Sequence, residues 1–313
     1  MVVVVGTSSS KDMGNVGTIP EPAREYARTF AEIPRLSAEV VAHDGMAWWA
    51  GEDARAVLGD GDFLRARIDA GRALFPMPEA AAKGEAASGQ AGDARFQTQL
   101  WWYSTCNSWL GPAVASIVVQ GRAPKPEWAA TTVFSRDDYW LGFAAGEFVD
   151  LGAEAGMEPG DPESADAVRA YGAALGRMAE PIVAAMEAEL GVRPAPSWAI
   201  VADGLAGAAV AAGNEVMEPW AGALVGSWLV EGLGEVARVP APRFVDVDAG
   251  AGPEGVAPTD LAAAADGEMA DFDVATHLER ASCCMIYHCP DADLCVSCPR
   301  RSAEERRALW AGA

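Results

Sequence analysis

Five of the six cysteines, Cys283, Cys284, Cys289, Cys295 and Cys298, fall within sixteen positions near the C-terminus. Thiols at that density share a chemical task, which is a disulfide framework, a zinc site or an iron–sulfur cluster. Cys295 and Cys298 form a Cys-x-x-Cys hook, which delivers two thiolates to one metal from a tight turn, and zinc and iron both accept it. A tetrahedral zinc normally takes its other pair from a second spaced hook, whereas this chain offers the adjacent Cys283 and Cys284. Neighbouring side chains in an extended segment point to opposite faces, which is awkward for one small ion and easier for a wider two-iron group. Cys289 competes for a ligand position, because with Cys295 and Cys298 it makes Cys-x5-Cys-x-x-Cys, close to the plant-type ferredoxin spacing.

Other residues carry weaker signals. Trp101, Trp102 and Trp109 could line a ligand pocket, although aromatics in an apolar helix are ordinarily core. Asp203 interrupts an apolar stretch, where a carboxylate either contacts a ligand, orients an arginine or faces solvent. His288, inside the cysteine loop, is a candidate hydrogen-bond donor, pocket residue or metal ligand, although a mixed histidine–cysteine cluster normally takes two histidines. His43 and His277 read as ordinary solvated or packed histidines, and Cys106 as a small buried hydrophobe. Arg280 precedes the cysteines and Arg300, Arg301, Arg306 and Arg307 follow them. In an acidic chain this basic collar is expected to dock an acidic electron-carrier protein, the alternative being that it only offsets Glu304 and Glu305 on a short C-terminal helix. There is no phosphate-binding glycine loop and no dinucleotide fingerprint, so electrons are expected from another protein.

The chain of 313 residues carries a net charge of −22, which argues against nucleic acid and anionic membrane surfaces. The N-terminal apolar run is too short and has no basic flank for a signal peptide. The apolar stretch from Pro219 to Val230 is too short to span a bilayer, so no stable membrane insertion is expected. These features predict a cytoplasmic protein, where clustered cysteines serve metals or redox chemistry rather than disulfides.

The elements that must position the cysteines are mostly helical. Residues 1–20 read as a disordered lead-in, followed by a helix over Pro22–Ala42 and another over Glu52–Ala73. Residues 76–94 are low in complexity and read as a loop. Phe96–Gln120 is strongly apolar, ends at Gly121, and should break or kink at Gly111-Pro112. Between Trp128 and Asp150 the pattern predicts a β-hairpin. Asp161-Pro162 is an N-cap and first-turn pair for a helix ending at Gly191, with a kink at Pro181. Two helices apolar on most sides, about Pro196–Ala212 and Met217–Val236, should form the core. From Phe244 to Glu279 there are nine acids and no Lys or Arg, which reads as a linker.

The pattern Cys-Cys-x10-Cys-x-x-Cys, with Tyr287 and Pro290 inside it and Pro299 after it, resembles the C-terminal signature of the FhuF-type ferric-siderophore reductases. Gln99-Leu-Trp-Trp102, running to Pro112 and Gly121, and Ser197-Trp-Ala-Ile-Val-Ala-Asp203 look like that family's helical segments. The chain departs from the pattern at His288, Cys289 and Asp291-Ala-Asp293, which bear on hydrogen bonding around the cofactor. The resemblance implies a [2Fe–2S] cluster on Cys283, Cys284, Cys295 and Cys298. It implies an α+β protein, with a mostly helical ligand-binding body (21–243) that includes a β-hairpin or small antiparallel sheet. An acidic linker (244–275) and a small C-terminal iron–sulfur module (276–313) would follow. The implied activity is one-electron reduction of a ferric siderophore, with a ferredoxin-like or other external donor. Six hard oxygens hold Fe3+ far more tightly than Fe2+, so reduction amounts to release. Hydroxamate complexes fit a chain of this charge better than anionic triscatecholates. The alternative is a non-catalytic, zinc-stabilised ligand-binding protein.

Overall fold

The computed structural model describes residues 46–76, 92–152, 161–248, 250–268, 270–271, 273–290 and 292–312. The lead-in, the helix expected over Pro22–Ala42 and residues 77–91 of the loop expected over 76–94 lie outside these residues, while 92–94 of that loop are helical.

Among the described residues, five helices of 14 to 29 residues make most of the body. The first part of it is a short strand β1 (Ala47–Ala50), followed by helices α1 (Glu52–Leu58) and α2 (Gly61–Leu74). The single helix expected over Glu52–Ala73 is thus two, because Asp60 leaves the helical conformation and caps the second one, its side chain accepting from the Phe63 N–H at 2.8 Å. Helix α3 (Gly92–Gln120) runs through Pro112 without ending, and stops where Gly121 turns to φ 65°. Strands β2 (Arg122–Pro124), β3 (Thr131–Ser135), β4 (Leu141–Ala145) and β5 (Phe148–Asp150) follow. β3 and β4 are the expected hairpin, antiparallel with Val133 opposite Phe143, and β1 adds a third strand on the far side of β3. β2 and β5 pair separately.

Helix α4 (Pro162–Leu190) begins as its sequence dictates, with the Asp161 carboxylate accepting from the Ser164 N–H at 3.0 Å and Pro162 in the first turn. It ends at Gly191, which takes the left-handed conformation. Helices α5 (Pro194–Glu215) and α6 (Pro219–Leu233) are the apolar centre of the molecule. α5 is long and apolar enough to cross a bilayer by length and composition, yet Ile200, Val201, Leu205 and Val210 are buried here against neighbouring helices. α4 and α6 approach so closely that a Cβ at Gly172 or Gly232 would strike the backbone of the other helix.

The expected acidic linker is folded. β6 (Phe244–Asp248), β7 (Val256–Pro258) and β8 (Val274–Leu278) form an antiparallel sheet in the order β7-β6-β8, with a short helix α7 (Leu261–Ala265) between β7 and β8. The acids fit because Asp246 is satisfied: it accepts from Thr259 Oγ1 and Thr276 Oγ1 at 2.7 Å each and from Trp220 Nε1 at 2.9 Å. Phe244, Val245, Val247 and Leu278 are buried. The sheet is tied to the body by Asn214 at the end of α5, which donates to the Thr276 carbonyl at 2.8 Å and accepts from its N–H at 3.0 Å. The last helix, α8 (Ala303–Trp310), starts with a reciprocal Ser302–Glu305 capping box, and Trp310 stacks on His277 at 5.5 Å.

Amides of 244–248 and 274–278 should therefore resist hydrogen exchange by orders of magnitude more than unstructured chain, as hydrogen-exchange mass spectrometry will read. Random-coil exchange across both segments would restore the linker. Asp246→Ala, which strands three donors, should cost about 2 kcal/mol in chemical denaturation.

Candidate iron–sulfur site and adjoining cavity

The site begins with a carboxylate in an apolar helix. Asp203 on α5 is buried, and it accepts from the Ser282 N–H at 2.6 Å, Ser282 Oγ at 2.5 Å and the Ala281 N–H at 3.1 Å. Arg280 Nε stands 3.7 Å away, with both side chains about nine-tenths buried. Burial pushes the Asp203 carboxyl above its ordinary range, while Ser282, Ala281 and Arg280 pull it back. These contacts fasten the three residues immediately before Cys283 to the helical body.

Arg280 then reaches the cysteines. Its guanidinium lies 4.7 Å over the Tyr103 ring, and Nη1 is 3.8 Å from Cys295 Sγ. Nη2 is buried without a hydrogen-bond partner among the described residues. A fixed cation with an unused donor beside a thiol suits an anionic group held on thiolates.

All six cysteines are free thiols, so the disulfide alternative finds no support. Met285 takes a left-handed conformation (φ 64°) that aims its N–H at Cys283 Sγ, 3.3 Å away. The Cys-x-x-Cys hook is a turn in which the Cys298 N–H donates to the Cys295 carbonyl at 3.1 Å. Burial pushes the Cys283 thiol up to about 11, helped by Cys298 and Cys284 and opposed by the Met285 N–H. Burial also raises the Cys295 thiol, opposed by Arg280 and helped by Cys298 and Cys284. Cys284 and Cys298 thus bear on both Cys283 and Cys295. Cys289 feels only Cys284 among them, and it packs, as Cys283 does, against a small apolar cluster of Phe96, Leu100, Cys284 and Met285. Among the described residues no three His, Cys, Asp or Glu side chains are gathered tightly enough to hold a single ion.

A cavity of about 690 Å³ lies against this set. Its walls are successive turns of α3 (Tyr103, Asn107, Gly111) and α5 (Asp203, Gly207), closed by His277 of β8, Arg280 and Ser297 of the hook. The size is within the range of about 300–1,000 Å³ typical of small-molecule sites.

Several expected site residues sit elsewhere. Trp101 and Trp102 are wholly buried in the core and line neither this cavity nor the depression beside Cys283, and Trp102 donates to the Ser197 carbonyl at 3.0 Å. Their size drives them inward, and the cavity face of α3 belongs to the small and polar residues instead. Trp109 is likewise core, stacked on Phe143 at 5.4 Å. His288 lies edge-on to Phe96 and lines neither of these two spaces. The basic collar is mostly structural: Arg280 is buried as above, Arg306 is buried and bonds Glu279 and the Arg301 carbonyl, and Arg301 holds the carbonyls of Leu294 and Cys295. Only Arg300 and Arg307 of the five are exposed. Sequence reading passed over Tyr103, Asn107, His277 and Ser297. The signal available was the spacing of Tyr103, Asn107, Gly111 and Ala115, a small and polar stripe at every fourth residue of an otherwise apolar helix.

Residues 280–300 match the family model of the FhuF 2Fe-2S C-terminal domain. The match covers the cysteine segment and leaves the helical body outside it. It makes a [2Fe–2S] cluster the cofactor of this segment. No curated protein and no solved structure matches the chain.

Two outcomes are expected. Asp203→Ala should cost about 3 kcal/mol in denaturant unfolding, because it strands buried donors and the Arg280 charge, and Asp203→Asn somewhat less. Arg280→Gln should retain the visible spectrum and lower the midpoint potential in redox titration, since it removes a cation that favours the more negative reduced state. An unchanged potential would mean that Arg280 serves only to hold the segment in place.

Proposed function

We propose that this protein is a ferric-siderophore reductase that takes one electron from an external donor and passes it to Fe3+ held in the 690 Å³ cavity. The observation that carries the reading is that the cavity and the cysteine set share a wall. Ser297, between Cys295 and Cys298, and Arg280, against Cys295 Sγ, both line it. In this reading Cys283, Cys284, Cys295 and Cys298 hold the cluster. Cys284 and Cys298 both bear on Cys283 and on Cys295, whereas Cys289 feels Cys284 alone, which supports that assignment.

When bound, the [2Fe–2S] group supplies a one-electron relay of low potential. The residues of the chain do the rest. Asp203 fixes Arg280 and Ser282, so the cysteine segment is held against the cavity rather than swinging on its strand. Tyr103, Asn107, Asn214 and His277 offer neutral hydrogen-bonding groups to a chelate. The charged residues of the lining are Asp203, Glu215 and Arg280, a slightly acidic set that favours neutral or cationic complexes over triscatecholates. Hydroxamate chelates meet that condition. Fe3+ gains one electron, and the resulting Fe2+ is held weakly by the same hard oxygens and leaves. The thiols require a reducing compartment, in keeping with the cytoplasm.

Reduced holoprotein mixed anaerobically with ferrioxamine and a ferrous chelator should yield Fe2+ in proportion to the returning cluster colour. A reduced cluster indifferent to every ferric chelate would sink the reading, as would a colourless protein holding zinc. Serine at Cys283, Cys284, Cys295 or Cys298 should abolish or strongly alter the visible spectrum, whereas Cys289→Ser should leave it. The reverse pattern for Cys289 and Cys283 would overturn the assignment.

A further inference from the structure

The groove between α3 and α5 does not end at the cysteine segment. Beyond it lies a second depression of about 400 Å³, lined by Arg95 and Gln99 of α3, by Pro196 and Ala199 of α5, and by Cys283 and Arg300. These positions are the preceding turns of the same two helices: Arg95, Gln99, Tyr103 and Asn107 follow at intervals of four, and Pro196, Ala199, Asp203 and Gly207 continue along α5. The stretch Arg280–Cys283, latched to Asp203, therefore crosses the groove and divides it. The compartment on one side has Asp203, Glu215 and Arg280. The compartment on the other has two arginines and no acid, in a chain of net charge −22. Arg95 and Arg300 are exposed, and the Arg300 guanidinium is steadied 4.7 Å over the Tyr287 ring.

We propose that the face formed by Arg95, Gln99 and Arg300 beside Cys283 docks an acidic one-electron carrier protein. Electrons enter at this compartment and leave to the ferric chelate in the neighbouring one. The proposal rests on the reductase reading and says where its donor binds. The partner is acidic because the local surface is basic while the remainder of the chain repels anions, so the two arginines fix where and how it lands. It is a protein because the chain carries no dinucleotide fingerprint of its own, so its electrons come from a carrier with its own redox centre. One electron leaves the reduced centre of the carrier, one electron converts Fe3+ to Fe2+, and no bond or proton passes between the proteins. Donor and substrate occupy different compartments, so neither must leave before the other binds.

The experiment uses the holoprotein and a plant-type ferredoxin as the acidic probe. Calorimetric titration with oxidised ferredoxin measures binding without turnover, and stopped-flow mixing with reduced ferredoxin measures the rate at which the cluster bleaches. The variants are Arg95→Glu/Arg300→Glu, the milder Arg95→Gln/Arg300→Gln, and Arg307→Glu on α8, which lines neither compartment. At low salt the charge-reversed pair should bind and accept electrons about tenfold or more weakly and lose the salt dependence of the wild type, with the glutamine pair intermediate. Arg307→Glu should change either value less than twofold. Wild-type affinity in both double variants would overturn the proposal. So would an equal loss in Arg307→Glu, which would make the effect one of net charge, or preference for a basic carrier such as cytochrome c. Reoxidation of the reduced double variants by ferrioxamine should match the wild type. Failure of that step in every protein, with ferredoxin binding intact, would count against the reductase reading alone.

Discussion

A single buried carboxylate sets the geometry on which the site depends. Asp203 sits on an apolar helix, where an unpaired charge would cost several kcal/mol. It is kept there by two backbone N–H groups, a serine hydroxyl and Arg280, all from the segment that leads into the cysteines. The dependence is mutual. The helix needs donors for its carboxylate, and the segment needs a fixed anchor, because 281–285 form no regular element of their own. Asn214, three turns further along α5, repeats the device on β8 through its two bonds to Thr276. One helix therefore holds both the strand that approaches the cysteines and the turn that presents them.

Charge is arranged against the average of the chain. Most acids are solvated, whereas the cations near the cysteines are largely built in: Arg280 beside Cys295, Arg301 on the carbonyls of Leu294 and Cys295, and Arg306 on Glu279. Burial favours neutral thiols at Cys283, Cys289 and Cys295. Ligation of a metal group to such thiols must expel protons, and the negative charge left behind needs a nearby cation. Arg280 supplies it at one corner of the set, with Nη2 still available.

Local signals were legible where the chemistry is local. Asp161-Pro162 and Gly191 marked the ends of α4, and the Cys-Cys-x10-Cys-x-x-Cys spacing marked the cofactor segment. The stretch 244–278 was misread because its acids and small residues look like a linker. What makes it a sheet is long-range: Asp246 is satisfied by Trp220, Thr259 and Thr276, and its strands are only three to five residues long. The arginines failed as a group for a related reason. Their clustering in sequence was evident, but whether a guanidinium faces solvent or caps a carbonyl depends on the path of the chain, and Arg301 and Arg306 turn back onto the carbonyls of residues five to seven positions earlier. Asp203 was legible only as a carboxylate that contacts a ligand, orients an arginine or faces solvent, because the groups that pair with it lie 77 to 79 residues away, beyond any periodicity argument.

The crossing of the α3–α5 groove explains why so small a cysteine segment can serve a larger body. Laid across a groove, the segment presents Cys283 to one compartment and the Cys295–Cys298 hook to the other, and the two helices supply walls for both. The walls of the two compartments differ in charge. Tyr103, Asn107, Gly111 and Gly207 make a neutral surface on one side, while Arg95, Gln99 and Arg300 make a basic one on the other. Breaking the Asp203 latch would merge the compartments and free Arg280 from Cys295 at once, so anchoring, division of the groove and the charge beside the cysteines rest on the same few hydrogen bonds.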